Sequence, residues 1–189
     1  MENLVDASHA AFLHAGLLRG MPETEVHARV EQTPRGVHIR TDGEKARGSL
    51  LYRVVGQRDA DVLHTEEFVA PSIVKLVYVS GAAHSTSQFV AVPMAASRTR
   101  LFGRVTVRMP GFTAAVFPVV QAAIRRIIRQ DVAIMEDMAA TERLFPGRRT
   151  TAVRADTPSV WLVRAAEDFR KNGPQPVERP QATTVRYKL

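Results

Sequence analysis

The stretch VLHTEEFVAPSIVKLVYVSGAAHSTSQFVAVP, residues 62–93, holds the runs VLHTEEFVA, IVKLVYVS and SQFVAVP, punctuated at Pro71, Gly81 and Pro93. Runs of this length, rich in β-branched and aromatic residues and separated by turn formers, predict β-strands joined by short connections. The pattern extends both ways. EVHARVEQ (25–32), GVHIRT (36–41) and SLLYRVV (49–55) precede it, with Thr33-Pro34-Arg35-Gly36, Asp42-Gly43 and Gly56 between them, and RLFGRVTVRM (100–109) follows. Several short strands at this spacing read as one antiparallel sheet.

Helical periodicity flanks the strands. LVDASHAAFLHAGLL, residues 4–18, is rich in Ala and Leu and stops at Gly20 and Pro22, which predicts a helix. Over residues 114–145, Val116, Val119, Val120, Ala123, Ile124, Ile127, Ile128, Val132 and Met135 recur at helical spacing, with Pro118 near the start or kinking the helix. A shorter helix is expected from Pro158 to about Lys171, and Gly173 to Leu189, with three prolines, reads as an extended tail. Helix, many strands, then a long helix is an α+β plan, with the long helix laid against a curved antiparallel sheet. No internal linker divides residues 1–172, so one domain is expected there, followed by the tail at 173–189.

The chain has 189 residues, 26 Lys+Arg against 19 Asp+Glu, 6 His and no Cys. Without Cys there is no disulfide framework, thiolate zinc site, thiol nucleophile or cysteine-held iron–sulfur cluster in this chain, so any metal must be held by His and carboxylate. The net charge is −2 over residues 1–94 and +9 over residues 95–189, where nearly every base is Arg. An Arg-rich solvated surface is the expectation, since no nucleic-acid motif accompanies it. The acidic start, Met-Glu-Asn, argues against a signal peptide. Phe112–Val120 is the most apolar stretch and is far shorter than the ~20 residues a membrane span needs. A cytoplasmic chain with no membrane span and no nucleic-acid partner is expected.

Of the six histidines, His27, His38, His64 and His84 stand singly in the strand region and read as surface or satisfied core residues. His9 and His14 lie on one short helix behind Asp6, as Asp-x2-His-x4-His. An i,i+5 pair is offset by roughly 140° on a regular helix, so convergence of both imidazoles on one ion requires a local distortion such as a π-bulge. An open mononuclear iron(II) site takes two His and one carboxylate. Asp131, in the apolar stripe of the long helix, is a candidate for the carboxylate, because a carboxylate near an apolar face must be paired or metal-bound. Pairing with Arg125 or Arg126, or an outward orientation, is the competing reading.

ENLVDASHAAFLHAG (2–16) resembles the iron-binding helix of Rieske non-haem iron oxygenases, and SRTRLFGRV (97–105) followed by RQDVAIMEDM (129–138) resembles the closing region of their pheophorbide a oxygenase and vanillate or dicamba O-demethylase branch. The resemblance implies a helix-grip, START-like fold and Fe(II) ligation by His9, His14 and Asp131. It implies catalytic roles for Asp6, as the bridge to a neighbouring subunit's Rieske cluster, and for Asn3, as the polar residue beside the metal. Dioxygen is then the co-substrate and a small apolar or aromatic molecule the substrate, in a cavity lined by residues such as Phe12, Phe89, Phe112 and Met135. The family's Rieske domain, with its Cys and His ligands, has no counterpart here. The 2Fe–2S cluster, and a ferredoxin or reductase behind it, must therefore belong to a missing domain or a partner chain, and this chain alone should not turn over. The intact enzyme is expected to be a homotrimer. Two other readings remain: a non-catalytic helix-grip binding module, and a zinc-dependent hydrolase built on the same ligands.

Overall fold

A computed structural model describes residues 2–6, 8–18, 25–45, 60–95, 97–109, 115–147, 151–174 and 180–188. Among them are seven strands: β1 (Glu25–Thr33), β2 (Gly36–Lys45), β3 (Asp61–Val69), β4 (Ile73–Ser80), β5 (Ala83–Ala95), β6 (Arg98–Arg108) and β7 (Ala182–Lys188). They form one curved sheet in the order β6-β5-β4-β3-β2-β1-β7, every pair antiparallel. The helices are α1 (His9–Leu13), α2 (Phe117–Leu144) and α3 (Thr157–Asn172). The α+β plan with a helix-grip arrangement is as the sequence predicts. SLLYRVV lies outside the described residues.

Three details depart from expectation. Residues 4–18 do not form one helix: a 3-10 turn at Glu2–Leu4 is followed by α1, which is only five residues long. The C-terminal tail is not merely extended: β7 pairs with β1 from Glu25↔Lys188 to Glu31↔Ala182 and widens the sheet. Its alternation, with Val185 buried and Arg186 exposed, is the period-2 signal that the preceding prolines obscured.

The third concerns which helix packs on the sheet. The core is built by Ala28, Val30, Val37, Ile39, Phe68, Val74 and Val185 from the sheet and Leu162 from α3, with Trp161 and Phe169 packed around them. The shorter helix α3 therefore seals the β7-β1-β2-β3 half. The long helix α2 buries only Val120 and Ala123 fully and stands off from the sheet, enclosing a cavity of about 700 Å³ against β3 to β6. Pro118 sits in the first turn of α2, where its missing N–H costs nothing.

Gly36 starts β2 because nothing larger fits: a Cβ there would lie 1.9 Å from the Phe68 carbonyl oxygen. A β-bulge follows between Thr41 and Glu44, with Gly43 at φ 89°. The extra residue reverses the strand's facing, so that Glu44 points inward after Thr41 does.

Candidate metal centre

α1 ends at Leu13, and His14 is its C-cap at φ −110°, ψ 26°. The distortion needed to bring an i,i+5 pair together is thus the end of the helix rather than a π-bulge. The His9 and His14 rings meet edge to face, with centroids 5.3 Å apart. From the facing side, α2 delivers Asp131. Its Oδ1 lies 3.5 Å from His9 Nε2 and 3.2 Å from His14 Nε2. The three donor atoms fall within 4.8 Å of one another, and these residues form the one potential metal-holding group of this kind among the described residues.

Hydrogen bonds on the far side of each ring set the tautomers. His9 Nδ1–H donates to the backbone carbonyl of Asp6. His14 Nδ1–H donates to Gln130 Oε1 at 3.1 Å. Both Nε2 atoms are thereby left facing Asp131, to which they donate when protonated and beside which they can ligate a metal when not, and outer partners of this kind orient metal-ligating imidazoles. Asn3 Nδ2 donates to Asp131 Oδ1 at 2.8 Å, steadying the carboxylate. His14 is buried, while His9 and Asp131 are partly exposed on the cavity side.

The charges agree with this arrangement. Burial pushes Asp131 up, but the His14 and His9 hydrogen bonds and charges outweigh it and hold the carboxyl well below the usual range. Burial pushes His9 down, and Asp131 with the Asp6 carbonyl overcomes it, so the imidazole is held above its ordinary value. The site thus keeps an ionised carboxylate beside two nitrogens directed at it. This donor set fits a divalent metal with imidazole and carboxylate preference.

The expectation for Asp131 as a partner of Arg125 or Arg126 is replaced: its contacts are Asn3, His9 and His14, and both arginines are exposed. Asp6 sits beside the centre, but its carboxylate accepts from the Ser8 backbone N–H at 3.0 Å and the Ser8 hydroxyl at 2.5 Å. Asp6 touches His9 through its backbone carbonyl. Phe89 and Met135 line the cavity as expected; Phe12 does not, being 70% exposed, and Phe112 lies outside the described residues.

Sequence reasoning missed Gln130 and a buried polar group on the sheet. Gln130 precedes Asp131 in the same apolar stripe, and its polarity there was the available signal. His64, read as a lone strand histidine, lies fully buried between Glu44 and Glu66, with Nδ1 3.5 Å from Glu44 Oε2 and Nε2 3.1 Å from Glu66 Oε1. No sequence spacing announces it, because the β2 bulge brings Glu44 there.

A long helix thus faces a curved sheet across a cavity, with two histidines and a carboxylate converging at one end. Residues 1–168 match the vanillate O-demethylase oxygenase C-terminal domain, and the chain belongs to that family. Among solved structures, dicamba monooxygenase bound to 3,6-dichlorosalicylic acid shares the fold with a TM-score of 0.70 at 14% identity, covering 90% of this chain. The chain spans about half of that protein, 54% of its length. No curated protein matches the sequence.

Proposed function

We propose that this chain is the oxygen-activating half of a Rieske-type oxygenase or demethylase, holding one mononuclear Fe(II) on His9, His14 and Asp131. The observation that carries the reading is the convergence of three ligand atoms from two elements 117 residues apart in sequence, His14 to Asp131, each with an outer hydrogen-bond partner. Iron in such a site supplies dioxygen activation and oxygen insertion into an apolar substrate, with electrons from a 2Fe–2S cluster carried on another domain or chain.

The residues of this chain hold and shape that chemistry. Asp6 fixes the start of α1 and, through its carbonyl, orients His9. Gln130 orients His14, and Asn3 orients Asp131. Leu76, Phe89, Leu101, Ile127 and Met135 supply apolar walls that exclude water around the substrate. Asp6 remains the candidate bridge to a Rieske histidine of a neighbouring subunit in a trimer. Among the described residues no helix is long and apolar enough to cross a membrane.

Anaerobic loading tests the reading. Wild-type protein should retain about one iron per chain, and His9→Ala, His14→Ala and Asp131→Ala should each lose it while keeping the circular-dichroism spectrum. Iron retained equally by the three variants, or none in the wild type, overturns the assignment. Preferential zinc with esterase activity would move the site to the hydrolase class.

A further inference from the structure

The cavity beneath the metal centre has a second pole. Its floor is the inward face of β3 to β6, where strand alternation brings Glu66, Leu76, Tyr78, Ser80, Ser85 and Ser87 to one side. Glu66 is 98% buried. One of its oxygens, Oε1, is 3.1 Å from His64 Nε2, and the other, Oε2, has no hydrogen-bond partner among the described residues. Ser80 Oγ, equally buried, also lacks one. Buried polar groups are almost always paired, so two orphans on one cavity floor ask for a ligand.

The geometry selects its chemistry. His64 stacks on Tyr78 with centroids 4.0 Å apart and is flanked by Glu44 as well as Glu66. Burial pushes His64 down, but Glu66 and Glu44 outweigh this and hold the imidazole above its ordinary value. Glu66 thus turns one oxygen to the imidazole and leaves the other, Oε2, as a buried acceptor on a cavity with apolar walls. A buried acceptor of that kind is costly until a donor meets it. Among the described residues, the arginines that line the cavity are Arg98 and Arg143, and both are exposed.

We infer that Glu66, with Ser80 beside it, is the polar anchor of the substrate cavity and receives a hydrogen-bond-donating group, hydroxyl or ammonium, on an otherwise apolar ligand, while disfavouring a carboxylate. As a statement about substrate class this rests on the oxygenase reading; as a statement about binding it stands on the cavity alone. Glu66 is a specificity residue under this inference, and Ser80 a secondary one.

Calorimetric titration of metal-free protein with toluene, benzyl alcohol, benzylamine and benzoate tests it. A charge-assisted hydrogen bond in a buried site should make benzylamine bind roughly ten- to hundred-fold more tightly than toluene, with benzyl alcohol between and benzoate weakest. Glu66→Gln should erase most of the benzylamine advantage, leave toluene within about twofold, and improve benzoate. Ser80→Ala should lower benzyl alcohol binding by a few-fold. Equal affinities across the four probes in wild-type protein, or a benzylamine preference unchanged in folded Glu66→Gln, overturns the inference. If Glu66→Gln does not fold, wild-type benzoate binding as tightly as benzylamine does so by itself. Because the titrations need no metal, an amine preference in a chain that fails to hold iron would sink the oxygenase reading and leave the anchor standing; iron retention without the preference would do the reverse.

Discussion

Gln130→Leu removes the acceptor of the His14 Nδ1–H bond while nearly preserving volume. His14 is 1% exposed, so water cannot substitute for the lost oxygen. In the metal-binding tautomer the Nδ1–H would then be buried without a partner, at a cost of about 1–3 kcal/mol. The imidazole can avoid that cost by shifting its proton to Nε2, but a protonated Nε2 cannot ligate. Either way the penalty falls on the metal-bound state. At 1.4 kcal/mol per decade this is roughly a five- to hundred-fold loss of affinity, the range that outer hydrogen-bond partners of ligand histidines generally command. Chelator competition, with Fe(II) under anaerobic conditions and Co(II) as a visible-absorption reporter, measures it directly. Gln130→Glu, which keeps an acceptor in place, should retain or raise affinity. Unchanged affinity in folded Gln130→Leu would refute the claim that this bond sets the His14 tautomer, whatever the metal.

Asn3→Ala strips one donor from Asp131 and should weaken metal binding less than Gln130→Leu does, by a few-fold, in the same competition assay, since Asp131 is partly open to solvent. In metal-free protein the raised His9 value means that its pairing with Asp131 stabilises the fold fully below the ordinary histidine value of 6.5 and is lost as pH rises through the folded value; the depressed Asp131 carboxyl contributes above the ordinary carboxylate value of 3.8 and fails only in stronger acid. Urea midpoints of metal-free protein should therefore fall from mildly acidic to alkaline pH, whereas metal affinity should rise over the same interval as the proton on His9 ceases to compete. Leu162→Ala, at the centre of the α3 contact, should cost about 2–5 kcal/mol, read in urea by the fluorescence of the single tryptophan, Trp161. Gly36→Ala should cost at least about 1–3 kcal/mol, because its methyl group would strike backbone and force β2 away from β3.

Strands β1 to β6 were legible in sequence because alternation along a half-buried strand is a local consequence of the pleat. The same holds for α2, where apolar residues recur every three to four positions around a stripe that faces the cavity. The candidate ligands were visible through residue type, His9 and His14 behind Asp6 and an acid in an apolar stripe, while the choice of Asp131 as their carboxylate over a pairing with Arg125 or Arg126 came from the family resemblance. α1 was overestimated because Ala and Leu favour helix throughout 4–18, whereas the chain leaves the helix at His14 to turn that ring toward Asp131. β7 was missed as a strand because its partner, β1, is about 150 residues away and only pairing gives its alternation meaning.

By itself, then, the sequence determined the α+β plan and the exclusion of thiol chemistry, which depend on residue type and local period, and, with the family resemblance, the identity of the three candidate ligands. Tertiary structure alone decided which helix seals the core and which encloses the cavity, because α2 and α3 are both amphipathic and nothing local ranks their contacts. It also decided the partners that tune the centre, Gln130, Asn3 and the Asp6 carbonyl. The buried Glu44–His64–Glu66 group belongs to the same class. It exists only because a bulge at Gly43 turns Glu44 inward and antiparallel pairing sets β3 beside it, and long-range register is what a linear reading does not contain.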